Sequence, residues 1–149
     1  MRITIDASVF IAAARTTEPN FAVSSRFLKQ VRTVHAEVFC PALVLPECSA
    51  AIARRTSNTS LALTLVTIIE GWPGLQLIQL TSARARRAAQ LAAVHRLRGA
   101  DSIYLATAEE FTTTLVTWDD EMLQRGASVV TAVTPTDWLS TNQPGSTHP

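Results

Sequence analysis

The stretch RITIDASVFIAA, residues 2–13, decides how the rest of the chain is read. Arg2 to Ile5 is short, β-branched and apolar, which predicts a buried strand. Apolar residues resume at Val9, Phe10 and Ile11 with helical spacing, and Ser8 is a candidate cap for that helix. Between the two, at the strand tip, sits Asp6. A carboxylate there either caps the helix or belongs to a site whose other parts lie far along the chain.

Working outward, short apolar strands alternate with amphipathic helices. EVFCP (37–41), LQLIQL (75–80), TTLVTW (113–118) and ASVVTAV (127–133) predict four further strands. Helices are expected over 20–36 behind Asn20, over 43–55 with Pro46 near the first turn, and over 59–72. More are expected over 81–99 with Gly99 as the stop, over 100–111, and in short turns at 119–125 and 134–140. This alternation predicts an α/β fold with a mostly parallel five-stranded sheet flanked by helices. No repeat or linker interrupts it, so residues 1–140 are expected to form one domain. The polar tail 141–149, with two prolines, is expected to be flexible.

Composition narrows the class. With 47% hydrophobic and 17% charged residues, the chain is globular rather than disordered. No apolar run approaches the roughly 18 residues of a membrane span. The N-terminus lacks a signal-peptide pattern, so the expected location is the cytoplasm. Cys40 and Cys48 lie in apolar surroundings and read as reduced packing residues. The net charge of +1 says little, but its distribution says more. Between Glu70 and Asp101 there is no acidic residue, while Arg84, Arg86, Arg87, Arg96 and Arg98 cluster there. Together with Arg54 and Arg55 they are candidates for nucleic-acid phosphates. A solvated helix face is the competing explanation.

Four acids stand at places where α/β folds build sites, beyond the carboxyl ends of strands. Asp6 and Asp119 follow strands. Asp101 shares a helical stripe with Leu105 and Ala108, and Glu47 shares one with Leu43, Ala50 and Ala51. Each acid also has an ordinary explanation, as a helix cap or a charge complementing a helix dipole. Converging carboxylates would repel, and would persist only with raised pKa values or a bound cation. Oxygen ligands select Mg²⁺ or Mn²⁺, which can orient a water and neutralise charge on a phosphodiester. His35, His95 and His148 are dispersed and suggest no zinc site. There is no phosphate-binding glycine loop and no G-x-S-x-G nucleophile elbow.

ITIDASVFIAA, LVLPECSAAIARR, GADSIYLATAEE and LVTWDDEML resemble, in order, the four motifs of the PIN-domain nucleases. The likeness is greatest to the VapC-like toxins of toxin–antitoxin pairs, and it spans residues 3–123. The resemblance implies a PIN-like fold and a metal-dependent endoribonuclease that cleaves RNA by metal-activated water. It implies that Asp6, Glu47, Asp101 and Asp119 form the acidic set holding Mg²⁺ or Mn²⁺. Ser8 and Thr117 would support that set, and Asp120 would either assist it or only start a helix. It further implies a VapB-like antitoxin partner and a homodimer. The apolar helices over 24–36 and 61–72 are candidate partner faces.

Other readings remain at this point. The chain could be a PIN-domain ribonuclease that is not a toxin, or a catalytically silent module that binds RNA or protein. A haloacid-dehalogenase-like phosphatase also places Asp after its first strand. It requires a second Asp where Ser8 stands, and a later lysine, whereas Lys29 is the only lysine.

Overall fold

Ile3 and Ile5 are fully buried, so β1 (Arg2–Ile5) runs through the centre of the molecule. The computed structural model describes residues 1–142. After β1 come α1 (Ala7–Ala13), α2 (Phe21–Thr33), β2 (Glu37–Pro41), α3 (Val44–Thr56), α4 (Thr59–Glu70) and β3 (Leu75–Ile78). The chain continues through α5 (Ser82–His95), α6 (Gly99–Phe111), β4 (Thr114–Val116), α7 (Asp120–Arg125), β5 (Ala132–Val133) and α8 (Pro135–Thr141). The five strands form one sheet in the order β3-β2-β1-β4-β5, and every pair is parallel.

That order positions the site. From β1 the chain winds outward through β2 to β3, then returns through α5 and α6 to β4 on the other side of β1. Right-handed crossovers in opposite directions put their helices on opposite faces of the sheet. The connections therefore diverge above β1 and β4, and a crevice opens beyond their carboxyl ends. Register fixes what flanks it: Ile5 pairs with Val116, and the Asp6 amide donates to the Val116 carbonyl at 3.0 Å. Asp6 and Thr117 are thereby neighbours, although 111 positions separate them in sequence.

The core is apolar and continuous through the sheet. Val38 and Cys40 of β2, Leu115 and Val116 of β4, and Phe27, Ile52 and Leu105 from the helices are all buried around β1. Cys40 and Cys48 are free thiols in this core, as expected. Burial pushes the Cys40 thiol up to about 12, so it stays protonated and unreactive. Among the described residues no helix is long and apolar enough to cross a membrane.

Local boundaries depart from the sequence reading in several places, β3 and β4 among them, which are shorter than expected. Ser8 is not the cap of α1; Asp6 is, its carboxylate accepting the Ser8 amide. Asn20 precedes α2 but makes no side-chain capping bond. Gly99 does not stop α5. That helix ends at His95 with Arg96 in the left-handed region (φ 54°), and Gly99 begins α6. The last strand is only Ala132–Val133, because the Val129 and Val130 amides turn back onto the Gly126 carbonyl. Of the expected flexible tail, Thr141 belongs to α8, and 143–149 lie outside the described residues.

Gly126 ends α7 where space is short. A Cβ there would stand 2.6 Å from the Met122 carbonyl and 3.1 Å from Leu105. Gly126→Ala is expected to destabilise the fold by about 1–3 kcal/mol in chemical denaturation, with folding retained. An unchanged midpoint would contradict this packing.

Candidate active site

Asp6 leaves β1 at the crevice and is buried, with only 6% of its surface exposed. Its Oδ2 accepts the Thr117 hydroxyl at 2.9 Å and the Ser8 amide at 3.3 Å. Burial pushes its carboxyl pKa up. The bonds from Ser8 and Thr117 oppose that shift, and the nearby Asp119 charge adds to it. Asp6 is thus a helix cap and a member of a carboxylate group at once. One oxygen serves the cap, and the cap does not exclude a place beside the other acids.

Glu47 and Asp101 arrive from the two helical layers. Glu47 lies in the first turn of α3 and is half-buried. Its Oε2 accepts the hydroxyl of the fully buried Tyr104 at 2.5 Å. Burial raises its pKa, the Tyr104 bond opposes this, and the charge of Asp6 adds to it. Asp101 lies in the first turn of α6, inside the helix rather than at its cap, which is Arg98. Its Oδ2 is buried and has no hydrogen-bond partner among the described residues. Its carboxyl is pushed up to about 6 by burial, then by the charges of Asp119 and Asp6, with Arg98 opposing.

Asp119 caps α7, its Oδ1 accepting the Met122 amide at 2.9 Å. The Thr117 hydroxyl accepts the Asp119 amide at 3.0 Å while donating to Asp6, so one side chain ties the two acids together. Ser8 works beside it, its hydroxyl accepting the Trp118 amide at 3.1 Å. Asp120 is exposed at the first position of α7, where it serves the helix start.

A cleft of about 380 Å³ collects Asp6, Ser8, Glu47, Asp101 and Trp118, with Glu18, Arg54 and Arg55. Asp119 is not among its lining residues, yet its charge reaches Asp6 and Asp101. Arg55 is held by Glu18 at 2.8 Å. The remaining arginines go elsewhere. Arg84 and Arg87 form two-pronged ion pairs with Glu110 and Glu109, at the far end of α6 from Asp101. They stitch α5 to α6 and line a different hollow. Arg96 is the left-handed end of α5, Arg86 is exposed on α5, and only Arg98 of that window stands near an acid of the cleft.

Do these residues suit a divalent cation? The donors are all oxygens, which is the chemistry of Mg²⁺ and Mn²⁺. The buried oxygen of Asp101 lacks a partner among the described residues, and three carboxyls are raised by burial and by the charge of neighbouring acids. A divalent cation would supply the compensation that the protein donors do not. Among the described residues no three His, Cys, Asp or Glu side chains are grouped so that together they could hold a metal ion. Mg²⁺ retains several waters and needs only one or two direct carboxylates, so an open arrangement fits it.

Three residues of the site escaped the sequence reading. Tyr104 stands one helical turn after Asp101 and was legible there as a same-face neighbour. Trp118 directly precedes Asp119, and its indole is fixed by the buried Ser24 at 2.8 Å. Glu18 lies in the loop between α1 and α2, where no periodic signal marks it.

The PIN domain family model matches residues 3–128, and the chain belongs to that family. Solved structures share the fold over most of both chains. VapC20 of Mycobacterium tuberculosis, described as a sarcin–ricin loop cleaving toxin, has 15% identity and a TM-score of 0.71, covering 88% of this chain and 98% of its own. VapBC2 of Rickettsia felis, solved with a fragment of promoter DNA, has 12% identity and a TM-score of 0.68, covering 90% and 98%. FitAcB of Neisseria gonorrhoeae has 19% identity and a TM-score of 0.67, covering 91% and 99%. None of the curated proteins compared with the chain matches it. The dehalogenase-like alternative falls with the family, and its second Asp is here Ser8, engaged with the Trp118 amide.

Raised carboxyls give a signed pH dependence. Asp101 binds its proton more tightly folded, at about 6, than at the ordinary 3.8. Its protonated form favours folding below the lower value, and that contribution is lost as pH rises through the upper one. Metal-free Asp101→Asn should match wild type in stability near pH 4. It should exceed wild type by on the order of 1 kcal/mol at pH 7.5, given the half-exposure of the group. Urea denaturation across that range checks it, and a difference independent of pH would contradict it.

Proposed function

We propose that this protein is a metal-dependent endoribonuclease acting as the toxin of a toxin–antitoxin pair in the cytoplasm. The observation carrying the proposal is the gathering of Asp6, Glu47 and Asp101 in one cleft, with a buried Asp101 oxygen left unpaired. Family membership and likeness to VapC and FitB structures support it. VapC20 is described as cleaving the sarcin–ricin loop, which favours RNA as the substrate class here.

In this reading Asp6, Glu47, Asp101 and Asp119 hold Mg²⁺ or Mn²⁺. The ion, when bound, activates water and neutralises charge developing on the phosphodiester. The protein's own groups do the rest. Thr117 and Ser8 fix Asp6 and the turn that carries Asp119. Arg54 and Arg55 lie on the cleft wall, where they hold phosphates flanking the scissile bond. Cleavage leaves a 5′-phosphate and a 3′-hydroxyl, and no side chain forms a covalent intermediate. A further solved structure of this fold, from Klebsiella pneumoniae, is described as a toxin–antitoxin complex, which supports a VapB-like antitoxin here. The chain would also pair as a homodimer. Leu63 and Ile68, exposed on α4, belong to the apolar surface available for partners. Residues 1–140 form the nuclease domain in this account.

Cleavage of structured RNA by the purified chain should require Mg²⁺ or Mn²⁺ and stop in EDTA. Asp6→Asn should lower the rate by at least about 100-fold with its fold retained by circular dichroism. Cleavage that survives both changes would overturn the proposal. Arg54→Ala and Arg55→Ala should each reduce the salt-dependence slope of RNA binding by about 1, while Arg84→Ala and Arg87→Ala leave it unchanged. Filter binding at several salt concentrations measures this, and the reverse pattern would move the RNA path to the α5 face.

A further inference from the structure

Tyr104 is the largest fully buried side chain of the protein, and its hydroxyl is the only donor on Glu47 among the described residues. The ring sits in α6, among core residues that include its neighbour Leu105. The hydroxyl emerges at the other end of that packing and meets a carboxylate carried by α3. A buried phenol needs a partner, and this one has taken an acid of the cleft rather than a backbone carbonyl.

The consequence lies in what the bond leaves available. Glu47 Oε2 is taken by Tyr104, while its other oxygen has no hydrogen bond among the described residues. Asp6 is arranged in the same way, with Oδ2 taken by Thr117 and Ser8. Each of these carboxylates is clamped through one oxygen and presents the other. The Tyr104 clamp also spans the two helical layers, because α3 and α6 reach the crevice from opposite faces of the sheet. A long, half-exposed Glu side chain on its own would distribute over several rotamers, and ordering it on binding would cost entropy. The ring of Tyr104, locked by packing, removes that freedom in advance.

We propose that Tyr104 is a positioning residue that fixes Glu47 in one rotamer with a single free oxygen, and so sets the affinity of the cleft for a divalent cation. The inference rests on the metal-dependent reading above and deepens it. Partners that orient metal ligands are worth about 10–100-fold in metal affinity. Tyr104 carries no contact to the substrate in this account. Its effect runs entirely through Glu47.

Electron paramagnetic resonance of Mn²⁺ titrated into the full-length chain tests this without any turnover. Tyr104→Phe keeps the ring and removes only the hydroxyl, and is expected to weaken Mn²⁺ binding by about tenfold. Glu47→Gln is expected to weaken it as well, and Tyr104→Phe added to Glu47→Gln should cause no further loss. A purely structural role for the hydroxyl would lower the melting temperature and weaken Mn²⁺ equally in both backgrounds, and that result overturns the inference. Unchanged Mn²⁺ affinity in Tyr104→Phe also overturns it, leaving the nuclease reading standing. Failure of the wild type to bind Mn²⁺ instead brings down the metal-dependent reading itself.

Discussion

The parallel pairing of β1 with β4 is the constraint on which the site depends. The last rung is the Asp6 amide on the Val116 carbonyl, and one residue further on the Thr117 hydroxyl meets the Asp6 carboxylate. Shifting that register by one residue would turn Asp6 and Thr117 to opposite faces and dissolve the cluster. The pairing is held by burial, since Ile3, Ile5, Leu115 and Val116 are all fully enclosed. A buried hydroxyl pair at 2.7 Å, Thr4 with Thr113, pins the opposite end of β4. A core that orders hydrocarbon thus places a carboxylate.

Burying that carboxylate is unfavourable unless something offsets it. Here the offsets are partial. Thr117 and Ser8 serve Asp6, Tyr104 serves Glu47, and one oxygen of Asp101 has no partner among the described residues. Asp6, Glu47 and Asp119 each push up the carboxyl of at least one other acid, so the cluster is under electrostatic strain that protons relieve at low pH and that a bound cation would relieve at neutral pH. Arg84 and Arg87 do not fill this need, being paired with Glu110 and Glu109 away from the cleft, and Arg98 offsets the Asp101 shift only in part. Those exposed pairs each contribute on the order of 1 kcal/mol or less, and join α5 to α6.

Much of this was legible in the sequence because strands and acids are both local signals. The β-branched run before Asp6 and the apolar run before Asp119 identified the two strands whose pairing brings those acids together. Glu47 and Asp101 were readable from helical stripes. What was lost had physical causes. The chain has only 5 glycines, and several helices end on non-glycine residues in the left-handed region: Ser57, Arg96 and Thr112. The usual glycine stop was therefore misread at Gly99, which starts a helix instead. The arginine window looked like a basic surface because its partners, Glu109 and Glu110, come from the next helix. Tyr104 is a core residue, and only the direction of its hydroxyl, which no local pattern encodes, joins it to the site.

The central claim is that the acids of the crevice constitute one divalent-cation site. Anomalous scattering from a crystal of the chain soaked in Mn²⁺ addresses it directly. The account predicts a peak in the cleft between Asp6, Glu47 and Asp101, within coordination distance of Asp6 and at least one other acid, and its loss in Asp6→Asn. A cleft without a peak at saturating Mn²⁺, or a peak that persists in Asp6→Asn, would contradict it.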